Sequence, residues 1–276
     1  LEALQQSDTS VGLAYAWSAK IDPDGNVFGL DSKSELEGCV YEDLIFSNFI
    51  GNGSACLIRK QCFDMVGLYD TKFYLNGTQG CEDYDLYLRI AEHFKFKVVK
   101  EFLTGYRKTE SSMSNDFKGM ENSRKLAMKN LISRNPWIPP KVLNWATSYY
   151  VLWLSSKALD QKCFYSSMRY LVQAAWMDPV LLTNTDFLKR ARALLRKSLK
   201  HIMCSYLFDS GQACAEKRRG NAPEPIPLDD INQKAVRPLK QSSLHVFKDK
   251  RRLAAHHLIN QARIKNGPHL TPPLAW

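Results

Sequence analysis

The first 115 residues predict an α/β layer fold and the remainder predicts an all-α C-terminal region. Three observations carry that division. Strand-like and helix-like runs alternate to about residue 110, only helical periodicity follows Asn115, and the charge changes sign between the two halves. Residues 1–135 hold 16 Lys and Arg against 19 Asp and Glu, whereas residues 136–276 hold 22 against 9, which together give a net charge of +10. A basic half attracts polyanions of any kind, so charge alone permits nucleic acid, anionic lipid headgroups and acidic polysaccharide. With 276 residues and 45% hydrophobic content, the chain is long enough for a substantial core, and its composition is neither collagen-like nor disordered.

The elements follow in order. Leu1 to Gln6 has the polarity of a surface helix already in progress, and with no initial Met the sequence reads as a fragment. Val11 to Ser18 is a buried strand; Asp22-Pro23-Asp24-Gly25-Asn26 is turn chemistry leading into the apolar run Val27 to Leu30, as in a hairpin. Tyr41 to Asn48 forms a short helix that Gly53-Ser54 separates from a strand, Ala55 to Ile58. Gln61 to Val66 is a helical turn closed by Gly67. After the loop Gly77 to Gly80, Glu82 to Phe94 carries apolar residues at 86, 90 and 94 with 87 and 91 beside them, the spacing of an amphipathic helix. Lys97 to Val99 and Phe102 to Tyr106 then predict two short strands.

Beyond Asn115, helical periodicity runs through Phe117 to Ser133, Lys141 to Leu159, Cys163 to Met177 and Phe187 to Leu207, with breaks at Pro136, Pro139-Pro140 and Asp178-Pro179. Residues 211–230 are rich in Pro, Gly and charge, the composition of a linker, and a last helix is expected at about Lys248 to Lys265. No stretch approaches the roughly 20 apolar residues of a membrane helix, and no secretory leader opens the chain. Seven cysteines without a Cys-x-x-Cys pair suggest neither a disulfide framework nor a zinc site. A cytoplasmic protein, peripheral at most to the inner face of a membrane, is the expectation.

Chemistry concentrates at Gly80-Cys81-Glu82-Asp83-Tyr84-Asp85-Leu86-Tyr87-Leu88-Arg89, where three carboxylates crowd the first turn of a helix behind a glycine loop. A structural account exists: acids at a helix N-terminus are favoured by about 0.3–1 kcal/mol, and Asp85 with Arg89 is an ordinary i,i+4 ion pair. Order and spacing add to it. Val66-Gly67-Leu68-Tyr69-Asp70 precedes the loop, Tyr106-Arg107 ends a later strand, and Asn52-Gly53-Ser54 stands before another. Together these pieces resemble the family-2 glycosyltransferases of the GT-A fold, in which an apolar-Gly-apolar-Phe/Tyr-Asp turn is followed by Glu-Asp-x-Asp-Leu-x-x-Arg on a helix and by a strand ending Tyr-Arg.

The resemblance covers roughly residues 1–115 and implies a partial GT-A-like mixed sheet with helices. It implies transfer of a sugar, with inversion, from a nucleotide-sugar donor to a saccharide or lipid-linked acceptor, in polysaccharide or cell-envelope glycan synthesis. Asp83 matches the catalytic base; a helix N-terminus would keep it ionised at neutral pH. Glu82, Arg89 and Arg107 match acceptor-binding positions. The family's divalent metal, Mg²⁺ or Mn²⁺, and the donor diphosphate are held by an Asp-x-Asp-like motif expected upstream of Leu1, so no metal ligand is assigned here and the chain alone is expected to be inactive. The implied division is an acceptor and catalytic-base half over 1–115, a helical region over 116–210, a linker over 211–230 and a basic tail with one helix over 231–276.

Phe187 to Ile202 is a basic amphipathic pattern, with apolar positions 187, 188, 191, 194, 195, 198/199 and 202 against a cationic face. It fits a bundle helix with a solvated face in the first place, and attachment to an anionic membrane surface in the second. Trp17 fits either a sugar-stacking face or the core; Trp145, Tyr149, Tyr150 and Trp153 fit core positions, and His256-His257 surface or packing ones. No motif supports specific nucleic-acid binding. The alternative to an enzyme is a non-catalytic basic helical module that binds membrane, polyanion or a protein partner. Glycoside hydrolysis is weaker, since it needs two carboxyls about 5–9.5 Å apart across a bond.

Overall fold

The computed structural model describes residues 1–75, 77–78, 80–109, 112–207 and 243–266, without the side chains of 200–207, 243–247 and 266. Strand β1 (Val11–Ile21) is its centre, with eight consecutive buried residues from Gly12 to Ala19. A strand covered on both faces needs no polar alternation, which is why this run reads as apolar throughout. Along one edge of β1 lies β4 (Lys95–Arg107), parallel to it for its whole length. The other edge is shared: β3 (Cys56–Ile58) pairs antiparallel with Leu13 to Tyr15, and β2 (Val27–Ser32) antiparallel with Ser18 to Ile21. The β1–β2 connection is the hairpin expected from Asp22 to Asn26, whose Asp22 carboxylate accepts the backbone N–H of Asp24 and Asn26 at 3.0 and 2.8 Å.

One expectation is corrected here. The two short strands at 97–99 and 102–106 are a single strand, β4. Ala16 pairs with Val99 and the next residue, Trp17, with Phe102, so exposed Lys100 and Glu101 bulge out of the ladder. Two adjacent charged residues interrupt the apolar pattern without ending the strand.

The helices are α1 (Glu2–Gln5), α2 (Tyr41–Phe46), α3 (Lys60–Val66), α4 (Lys72–Leu75), α5 (Glu82–Ala91), α6 (Phe117–Arg134), α7 (Pro140–Asp160), α8 (Phe164–Met177), α9 (Thr185–Leu207) and α10 (Ser243–Asn266). The expected linker at 211–230 lies outside the described residues. One apolar core runs from Leu13 and Tyr15 of β1 through Leu86, Leu88 and Ile90 of α5 and Leu152 of α7 to Ile259 of α10. Each such side chain, fully buried, contributes about 1.5–3 kcal/mol.

Helix α2 is buried at all six positions, including Glu42 and Asp43. Buried carboxylates persist only when paired, and α10 supplies the partners: Arg252 Nε stands 3.1 Å from Asp43 and Arg263 Nη1 3.1 Å from Glu42. His256 adds a contact to each acid, at 3.8 Å to Glu42 and 3.7 Å to Asp43. On the same helix Arg251 pairs with buried Asp178 at 2.7 Å. Helix α9 buries Phe187 and Leu194 in the core with Leu188 and Ala191 packed beside them, while Lys189, Arg190, Arg192, Arg196 and Lys197 are exposed. The apolar face of this basic helix thus packs on the bundle over residues 187–194. No helix among the described residues is long and apolar enough to cross a membrane.

Candidate active site

The chain enters α5 through two left-handed residues, Gly80 at φ +97° and Cys81 at φ +64°. The first suits glycine; a Cβ there would also meet Met120 Sδ at 2.7 Å. The first turn of α5, with Glu82, Asp83 and Asp85, begins directly after this reversal. Tyr84 anchors the turn from below, its hydroxyl donating to the carbonyl of Leu44 at 2.7 Å, and the Arg124 guanidinium lies 4.1 Å from its ring while donating to the Ile45 carbonyl at 2.9 Å.

The three acids have different surroundings. Asp85 is almost fully buried and faces cations: Arg89 Nε at 2.9 Å and Arg134 Nη1 at 3.6 Å, with Asn130 donating at 3.3 Å. Asp83 is half-buried and has no salt bridge among the described residues. Its Oδ1 accepts the backbone N–H of Tyr84 at 2.6 Å, and its carboxyl faces the bare Cα of Gly53, where an added Cβ would lie 3.9 Å from Oδ2. Cys56, Tyr69 and Tyr87 line the same place: the Asp83 charge pushes all three side chains up in pKa, after the larger effect of burial, and Cys56 Sγ lies 3.2 Å from the Tyr87 hydroxyl.

Burial, and then the neighbouring Glu82 charge, push the Asp83 carboxyl from 3.8 up to about 7, against hydrogen bonds from the backbone. Burial thus opposes the helix terminus that was expected to hold Asp83 ionised. A helix N-terminus favours a carboxylate by about 0.3–1 kcal/mol, whereas a shift of about 3 units corresponds to roughly 4 kcal/mol. Desolvation wins. The outcome is a carboxylate basic enough to share a proton at neutral pH.

Glu82 is half-buried on the same turn. The other two predicted contacts lie elsewhere. Arg89 stands six residues along α5, about 9 Å by helical rise, and its donors go to Asp85 and to the carbonyls of Val66 at 2.6 Å, Gly67 at 3.3 Å and Leu68 at 2.9 Å. It ties the end of α3 and the following turn to α5. Exposed Arg107 ends β4, where it donates to the carbonyls of Asp22, at 2.9 Å, and Pro23 in the hairpin turn. Trp17 is buried against Phe102, its indole N–H donating to the Ser34 carbonyl at 2.8 Å, and is a core residue.

Residue reasoning alone missed a polar network beside the site. Asn52 Nδ2 donates to Ser18 Oγ at 3.2 Å and to Asp31 Oδ2 at 3.3 Å, and Ser18 Oγ lies 3.1 Å from the same carboxylate oxygen. The one signal in the sequence was the Asn52-Gly53-Ser54 turn; nothing local ties Ser18 or Asp31 to it. Among the described residues no group of three or more His, Cys, Asp or Glu side chains could hold a metal ion.

A mixed sheet with a parallel β1–β4 pair, an acid-bearing helix start beside its edge and a following helical region define a GT-A-like domain. Residues 2–131 match the family described as glycosyltransferase like family 2. This part of the chain is similar to a family-2 glycosyltransferase domain, and the match extends through most of α6. No curated protein matches the chain.

Proposed function

We propose that this domain transfers a sugar from a nucleotide-sugar donor to a saccharide or lipid-linked acceptor with inversion, Asp83 serving as the base. The observation that carries the reading is the Asp83 carboxyl: unpaired among the described residues, on the first turn of α5, facing Gly53, and raised to about 7. The acceptor hydroxyl attacks the anomeric carbon, the bond to the donor phosphate breaks, and the hydroxyl proton passes to Asp83 Oδ2. A single displacement inverts the configuration. Glu82, beside it, is positioned to accept a hydrogen bond from a second acceptor hydroxyl. The engaged donors of Arg89 and Arg107 favour positioning roles for both, Arg89 for the turn before α5 and Arg107 for the β1–β2 hairpin. The family's Mg²⁺ or Mn²⁺ has no fitting ligand group among the described residues.

The test is nucleotide-sugar-dependent transfer by the protein carrying the donor-binding Asp-x-Asp strand that the family resemblance implies. Asp83→Asn is expected to lower kcat by about 10²–10⁴-fold while leaving donor binding within about twofold. Activity retained in that variant would move the base to another residue.

A further inference from the structure

We propose that Lys20, Lys108 and Lys157 form a receptor for a phosphate or diphosphate group, set on one face of the sheet beside the Asn52–Ser18–Asp31 network. Three elements bring them together. Lys20 pairs in parallel register with Tyr106, so the two side chains leave the sheet on the same face; Lys108, two residues on, continues that face, its backbone N–H donating to the Ile21 carbonyl at 2.8 Å. Ser18, two residues before Lys20, shares the face and meets Asp31. The Lys108 ammonium lies 4.3 Å from the Tyr106 ring centroid and donates to Ser114 Oγ at 2.6 Å. The third lysine comes from the helical region. Gln161 donates to the Asn115 carbonyl and so ties the end of α7 to the Ser114 loop, and Lys157 sits one turn before Gln161, half-buried over the Trp153 ring.

Electrostatics agree with the geometry. Burial, then the charges of Lys157 and Lys20, push Lys108 down to about 8, against the opposing charge of Asp31. Among the described residues none of the three lysines makes a salt bridge. At Lys108 the charges of two lysines oppose that of one carboxylate, a positive surplus that a dianion neutralises, with charge-assisted hydrogen bonds gained as it enters. A neutral sugar would not relieve this repulsion. The place is also apt: Asn52, which holds Asp31, precedes Gly53, which faces the Asp83 carboxyl. Resting on the transfer reading above, the phosphate belongs either to the nucleotide-sugar donor or to a lipid-linked acceptor.

The experiment is calorimetric titration of the chain with sodium pyrophosphate at roughly 0.15 M salt, where long-range surface effects are screened. Saturable binding is expected, about tenfold or more weaker in Lys108→Met and in Lys157→Met and restored toward wild type in Lys108→Arg. Lys60→Met, an exposed lysine on α3, leaves it unchanged. Binding weakens as pH rises through about 8, the range in which Lys108 loses its charge, and thermal melts confirm that the variants fold. Competition by a nucleoside diphosphate assigns the site to the donor, and competition by phosphatidylcholine vesicles carrying a long-chain prenyl phosphate assigns it to the acceptor. Competition by neither, no saturable pyrophosphate binding, or equal loss in Lys60→Met overturns the proposal. Asp83→Asn keeps pyrophosphate binding, so the two readings fail separately: transfer that survives Asp83→Asn sinks the base, and binding that survives both methionine variants sinks the receptor.

Discussion

Asp83→Asn tests the electrostatics of the site through stability alone, without any substrate. Burial and Glu82 raise the carboxyl from 3.8 to about 7. A group raised in the folded state contributes stability that is full below its unfolded value and is lost as pH rises through its folded value, here from about 4 to about 7. For a fully shielded carboxyl the loss totals roughly 4 kcal/mol, of which about 2.5 kcal/mol falls between pH 5 and pH 8. Asp83 is half-buried, so solvent screening reduces that pH-dependent part to ~1–1.5 kcal/mol. An asparagine keeps an oxygen for the Tyr84 N–H and never ionises. The variant is therefore expected to gain on wild type by ~1–1.5 kcal/mol between pH 5 and pH 8. Urea unfolding at the two pH values, with an unchanged slope, reads this as a shift in midpoint. A stability difference that is the same at both would refute the claim that Asp83 is desolvated and unpaired. In the active protein the same raised value makes wild-type transfer rise with pH through about 7.

Removing Arg89 as Arg89→Met is expected to cost about 2–4 kcal/mol, because it strips buried Asp85 of its nearest cation and frees three carbonyls of the turn before α5; Arg89→Lys, with one ammonium in place of a fork, recovers less than half, and denaturant midpoints measure both. Gly80→Ala should lose about 1–3 kcal/mol, since φ is +97° and the new methyl meets Met120 Sδ; a thermal melt within a degree of wild type would argue against the left-handed entry to α5. His256 is raised chiefly by its hydrogen bond to Asp43, so its contribution is full below about 6.5 and fades as pH rises beyond that. Moving from pH 8 to pH 6 is then expected to stabilise wild type by ~0.5–1 kcal/mol more than His256→Gln, and equal pH dependence in the two would remove His256 from the α2–α10 contact.

What was legible in the sequence was legible locally. Helix α5 announced itself through Leu86, Ile90 and Phe94 at helical spacing, and the β1–β2 hairpin through Asp22 to Asn26, because each signal lies within a dozen residues. Strand β4 was misread where Lys100 and Glu101 bulge, since a ladder interruption and a strand end look alike without the partner strand. The Asp83 surroundings were legible only in part. The carboxylate was marked by its motif, and the neighbouring Glu82 charge is local, but the burial that chiefly raises its pKa involves Gly53, Cys56 and Tyr69, three positions on other segments whose approach no local pattern encodes. Glu42 and Asp43 show the same limit from the other side: nothing near these two acids in the sequence marks them as buried, because their partners, Arg252, His256 and Arg263, come some 200 residues later.

That late cover bears on the chemistry. Helix α2 lies between α10 and α5 and is held from both sides: its acids pair with Arg252 and Arg263, while the carbonyls of Leu44 and Ile45 take the Tyr84 hydroxyl and the Arg124 guanidinium. Tyr84 is the residue next to Asp83, and its backbone N–H is the donor to the Asp83 carboxylate. A displacement of α2 would therefore move the α5 start and expose the carboxyl to water, lowering the pKa that burial raises. The basic helical half, which by composition alone could have been a separate polyanion-binding module, acts in this geometry as part of the support that positions the start of α5. Its positive charge is used unevenly: on α10, Arg251, Arg252 and Arg263 neutralise buried acids, whereas Lys157 on α7 makes no ion pair among the described residues and its charge bears on Lys108. Of these two groups only the lysines hold a surplus that a phosphate would complete.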